Sequence, residues 1–123
     1  MNQNRKHIRL YDLSRFKAFA GDDPENLREI LVEFVRSGLK NAALFRQSVL
    51  EHDRNAVSEL AHKMLPLFRQ LQVSDLASLL GQLERKDRTN PVPEIYFLMA
   101  QMALEKMEEI LNAIQERENI SLD

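Results

Sequence analysis

A histidine at position 62 stands in the segment SELAHKMLPLFRQLQ, residues 58 to 72, with Lys63 beside it and Arg69 further along. An imidazole changes charge or attacks an electrophile near neutral pH, and cations close to it suit an incoming anionic group. Val57, Leu60, Ala61, Met64, Phe68 and Leu71 recur at the spacing of one helical face. At about 100° per residue they cluster within roughly 60° of one direction, and His62 points about 160° away from it. The spacing therefore predicts an imidazole facing solvent. Asn55, Ser58, Leu65, Pro66 and Arg69 are expected on the same outer face, with Lys63 to one side. A histidine so placed either meets an anion from another molecule or is an ordinary surface residue.

Other chemistry finds little support. His7, His52 and His62 are far apart in sequence, and no two of them stand at the i, i+4 spacing of a metal site, so no metal centre is expected. Serines and carboxylates form no recognisable nucleophile and base pairing, and three glycines make no phosphate loop. The absence of cysteine excludes disulfides and thiolate metal sites and fits a cytoplasmic setting. With a net charge of -2 from 17 basic and 19 acidic residues, there is no global electrostatic case for nucleic acid. No apolar run approaches the roughly 20 residues that span a bilayer, and MNQNRKHIRL lacks a signal-peptide apolar core, so direct membrane insertion is not expected.

The elements that must position His62 follow from periodicity. Residues 1–10 are a polar, basic lead-in, read as a linker or, alternatively, a polyanion-binding arm. Leu13, Phe16 and Ala20 predict a short helix over 11–20, stopped by Gly21. Asp23 as N-cap and Pro24 at the first helical position begin a long helix. Its stripe of Leu27, Ile30, Leu31, Phe34, Val35, Ala42, Phe45 and Val49 runs to about Glu51, roughly 40 Å at 1.5 Å per residue. Gly38 within it costs about 1 kcal/mol relative to alanine, which close approach of a neighbouring helix or a kink would explain.

Asp53 is the expected N-cap of the His62 helix, with His52 a solvated turn residue. Val73, Ser74 and Asp75 lead into a fourth segment carrying Leu76, Leu79, Leu80 and Leu83, and Lys86–Asn90 reads as a polar loop. Pro91 and Pro93 open the last helix, with an expected core stripe of Ile95, Leu98, Met99, Met102, Ala103, Met107, Ile110, Leu111 and Ile114. Met64, Met99, Met102 and Met107 are read as packing residues rather than a copper or cofactor site. Residues 119–123 read as a frayed tail. The 123 residues suffice for one domain, and the pattern predicts an all-α fold: an antiparallel four-helix bundle over 11–118 with a short additional N-terminal helix.

Residues 11 to about 118 resemble a histidine-containing phosphotransfer (HPt) domain of two-component phosphorelays. The local match is Leu60-Ala61-His62-Lys63-Met64-Leu65, between a long helix and the leucine-rich Leu76–Glu84 segment; Tyr11-Asp12-Leu13 through Gly21-Asp22-Asp23-Pro24 resembles the family's lead-in. The family carries its phosphoryl group on the histidine of an Ala-His-x-x-Lys-Gly pattern, which the resemblance places at His62. Two positions depart from it: the lysine is Leu65 and the glycine is Pro66. Lys63 and Arg69 are then the candidates to contact phosphate in place of that lysine. Proline lacks an N–H and cannot bond the His62 carbonyl, yet like glycine it presents no long side chain to a docking partner. Glu84 falls near the family's frequent glutamine and is either an acceptor that orients the imidazole or a solvated helix-end residue.

The resemblance implies a phosphoryl carrier rather than a stand-alone enzyme. It would have no cofactor of its own, with magnesium on a partner response-regulator receiver domain. The chain would be a cytoplasmic monomer, free or tethered as the C-terminal part of a membrane-bound hybrid sensor kinase. The alternative is a degenerate bundle that docks a receiver or another signalling protein and never handles phosphate.

Overall fold

A computed structural model describes residues 10–85 and 91–122. Those residues form five helices and no strand: α1 (Ser14–Phe19), α2 (Pro24–Leu50), α3 (Arg54–Gln70), α4 (Ser74–Leu83) and α5 (Pro93–Arg117). The basic stretch of residues 1–9, including His7, and the expected loop at residues 86–90 lie outside the described residues.

Local chemistry sets the helix ends. The Asp23 carboxylate accepts from the Glu25 N–H at 3.0 Å, and Pro24 follows where a missing N–H costs nothing. The Asp53 carboxylate accepts from the Ala56 N–H at 3.1 Å, starting α3. His52 and Gln72 adopt left-handed backbone (φ 53° and 59°) just beyond α2 and α3. The following N–H groups reach back, Asp53 to the Ser48 carbonyl at 2.9 Å and Val73 to that of Phe68 at 3.3 Å. Left-handed closures of this kind satisfy the last carbonyls of a helix and turn the chain sharply. Asp53 thus ends one helix and begins the next. His52 is exposed, as expected of a turn residue, and its ring meets the Phe97 ring edge-on at 4.8 Å.

α3 packs on α2 and α4, α5 packs on α2 and α4, and α1 rests on α2. Contacts pair Arg28 with Glu118 and Asn119, Gly38 with Leu111, and His52 with Phe97. The core between these helices holds Phe45, Val57, Met64, Phe68, Leu76, Leu80, Tyr96, Met107 and Ile110, all fully buried. Gly38 is buried at a close approach of α2 and α5: a Cβ there would lie 2.7 Å from Leu111 Cδ2.

Two expectations are corrected. Ile95, Leu98 and Met102 are about half exposed, and Tyr96, Ala100 and Leu104 occupy the interior in their place. α5 has apolar residues on more than one side, so its periodicity leaves the inward direction open; the buried Tyr96 hydroxyl, donating to the Leu83 carbonyl at 2.7 Å, occurs with the other choice. Residues 119–122 are not a frayed tail. Ile120 is buried, Leu122 packs against the core, and the Arg28 guanidinium donates to the Glu118 and Asn119 carbonyls at 3.2 and 2.9 Å.

Candidate functional site around His62

His62 lies mid-way along α3 with its side chain 81% exposed. Ala61, Met64 and Phe68 are fully buried behind it, so the ring stands on a helix seated firmly in the core. The Nδ1 atom lies 2.7 Å from Oε1 of Glu84, which caps the C-terminal end of α4. A carboxylate can only accept, so Nδ1 carries a proton, and in the neutral ring Nε2 is left with the lone pair, directed away from Glu84. Of the two sequence readings of Glu84, the structure therefore gives the histidine partner rather than a solvated helix end.

The position of Glu84 is itself determined. Ser58, four residues before His62, donates its Oγ–H to the Glu84 carbonyl at 2.8 Å, and Tyr96 donates to the adjacent Leu83 carbonyl. Two carbonyls that α4 leaves without intrahelical partners are thus held from α3 and α5. Burial pushes the Tyr96 phenol up to about 12 despite the Arg54 guanidinium, which lowers it and sits 4.0 Å from the ring centre. The hydroxyl therefore stays a donor throughout the neutral range.

The outer face is narrower than the sequence suggested. Ser58 is buried, and Leu65 is only 3% exposed, so neither belongs to it and Leu65 cannot contact a partner directly. Both lie on the flank of α3 that α4 covers, because a helix with two packed neighbours buries more than one stripe. Asn55, Pro66 and Arg69 are exposed, as expected, and α3 continues unbroken through Pro66. Lys63 is exposed but turned about 100° around the helix from His62. Arg69 lies on the same side as His62 and about 10 Å further along. The Arg69 carbonyl accepts from the Arg15 guanidinium at 3.3 Å, and both arginines line an open hollow of about 410 Å³ with Gln72, Ser74 and Ser78. The structure thus brings Glu84 to His62, while His62 does not line the hollow that Arg69 borders.

Tyr96 and Arg15 were not foreseen as parts of this region, and Ser58, expected on the outer face beside His62, instead supports Glu84. Ser58 offered a signal, a hydroxyl one turn before the histidine on the same flank. Arg15 offered none, since only tertiary packing brings α1 to the end of α3. Among the described residues, no group of three or more histidines, cysteines, aspartates or glutamates is arranged to hold a metal ion. No helix among them is long and apolar enough to cross a membrane. Comparison of the chain with family models, with curated proteins and with solved structures finds no match.

Proposed function

We propose that this chain is a histidine phosphotransfer domain, an antiparallel four-helix bundle that accepts a phosphoryl group on His62 from a receiver-domain aspartate and passes it on. The observation that carries the reading is the outward imidazole with Nδ1 bonded to Glu84 at 2.7 Å. In this arrangement Nε2 is the nucleophile. Its lone pair forms the N–P bond while the bond from phosphorus to the partner's carboxylate oxygen breaks, and the carboxylate leaves with that electron pair. Nε2 has no proton to lose. The ring gains positive charge, and the Nδ1 proton shared with Glu84 helps to balance it. Magnesium belongs to the partner, and this chain contributes mainly position. Return transfer to another aspartate reverses these steps. The setting is the cytoplasm, either as a free carrier or within a hybrid kinase.

Lys63 and Arg69 remain candidates to balance phosphate charge in place of the family lysine. One observation favours a second reading, a binding module that docks a receiver without accepting phosphate: the family's lysine position is the buried Leu65. A single experiment separates the two. Incubation with phosphorylated receivers should label the wild type, with label lost in acid and kept in base, while His62→Gln remains folded and unlabelled. Label that persists in His62→Gln overturns the assignment, and receiver binding without any label supports the binding module.

A further inference from the structure

Phe19 on α1 is an exposed apolar side chain, and the exposed Leu44 and Leu50 point about 120° apart on α2. Scattered residues of this kind are ordinary on a protein surface. Ile95, Leu98 and Met102 on α5 differ. Each is about half exposed, and at about 100° per residue the three fall within roughly 60° of one direction.

The stripe continues inward to a floor of partly buried residues, Met99 on α5 and Leu79 on α4. α4 and α5 run antiparallel: the Tyr96 hydroxyl meets the Leu83 carbonyl at 2.7 Å, and the Lys106 ammonium lies 3.6 Å from the Asp75 carboxylate. Leu79 falls midway between these two contacts, opposite the turn that carries Met99 and Met102. An apolar strip at i, i+3 and i+7 beside a second helix is the shape that receives the apolar face of a third. Its two methionines have unbranched side chains that adapt to an incoming surface.

Charge decides what that third helix carries. The other exposed residues of α5 from 93 to 116 are Pro93, Glu94, Glu105, Glu109, Asn112 and Glu116, with no cation among them. Lys106, the one cation of that span, is partly buried and has the Asp75 and Glu109 carboxylates at 3.6 and 4.0 Å. A second copy of this chain would lay one acidic rim against another with no exposed cation to balance them, which opposes self-association through this face.

We infer that Ile95, Leu98 and Met102 form a docking strip for an amphipathic helix of another protein, with apolar residues on its inner face and lysine or arginine along its flanks. α3 and α5 each pack on α2 and α4, so they stand diagonally across the bundle and their outer faces point apart. A helix bound on α5 therefore leaves His62 open. The strip goes beyond the phosphotransfer reading and does not depend on it.

The test uses the isotope-labelled full chain and a synthetic helical peptide with leucines along one face and lysines along the other, followed by methyl NMR. The methyl signals of Ile95, Leu98 and Met102 should shift. Binding should weaken about tenfold or more in the double variant Leu98→Ser, Met102→Ser, and about threefold or more in Glu105→Gln, Glu109→Gln, the second loss fading as salt rises. His62→Gln should leave it unchanged. A scrambled peptide of the same composition, which cannot align its leucines, should bind about tenfold more weakly or worse. Absence of methyl shifts overturns the strip, as does equal binding of the scrambled peptide or of the Leu98→Ser, Met102→Ser variant. A dimer of the free chain in sedimentation equilibrium that Leu98→Ser dissolves would make a second copy the occupant and overturn the basic partner.

Discussion

At the scale of single residues, the hydrogen bond between His62 and Glu84 is made to one acceptor oxygen, so the geometry of that acceptor and the charge behind it can be tested separately. A glutamine amide oxygen can accept from the same Nδ1–H, whereas alanine leaves the ring free to rotate and change tautomer. Glu84→Gln should therefore keep transfer to His62 within about threefold of wild type, and Glu84→Ala should slow it about tenfold, equal to about 1.4 kcal/mol in the barrier. Single-turnover rates from a phosphorylated receiver measure this. Equal slowing in both variants would show that the carboxylate charge, not its geometry, matters. Ser58→Ala acts one step further back. It removes the partner of the Glu84 carbonyl, should cost about 1–3 kcal/mol of stability in denaturant unfolding, and should slow transfer less than Glu84→Ala does.

At the scale of elements, the crossing of α2 and α5 depends on Gly38. Alanine there gains about 1 kcal/mol of helix propensity. Its Cβ would meet Leu111 Cδ2 at 2.7 Å, however, and Leu111 is fully buried. Overpacking of this kind costs about 1–3 kcal/mol, so the clash should win and Gly38→Ala should be destabilising by about 1 kcal/mol. Adding Leu111→Ala should cost less in that background than in the wild type, a coupling that chemical denaturation of the four proteins would reveal. Additive effects would mean that the helices separate instead. On α5, truncation of Leu104, buried at 1% exposure, to alanine should cost about 2–5 kcal/mol, whereas Leu98→Ala should cost under about 1 kcal/mol.

At the scale of the whole molecule, alkaline pH should unfold the protein through its buried tyrosine. The folded state holds the Tyr96 phenol at about 12, above its ordinary value of 10.0, because burial disfavours the phenolate. A pKa raised on folding leaves stability intact below the unfolded value and erodes it as pH rises through the folded one. Stability should therefore be insensitive to Tyr96 below about pH 10 and fall between about pH 10 and 12. Tyr11, also raised by burial and by Glu118, contributes in the same direction. Tyr96→Phe should lower stability at neutral pH by loss of the Leu83 bond, while flattening the alkaline limb. Thermal melts across that range would show an unchanged limb if Tyr96 is not responsible.

Much of this was written locally in the chain. Asp23 and Asp53 mark helix starts through bonds to residues two or three positions away, Pro24 marks one by needing no N–H partner, and helical phase alone put His62 outside and Met64 and Phe68 inside. Local information fails where two helices compete for one residue. Ser58 and Leu65 looked outward from a single stripe and are covered by α4; Ile95, Leu98 and Met102 looked inward on a helix whose apolar residues permit more than one inward direction. The pairing of His62 with Glu84 spans 22 residues, and that of Arg15 with Arg69 spans 54. No periodicity within either segment specifies such partners. They are set by how the helices pack, because the buried area that orients each helix is shared with its neighbours and is known only when all of them are in place.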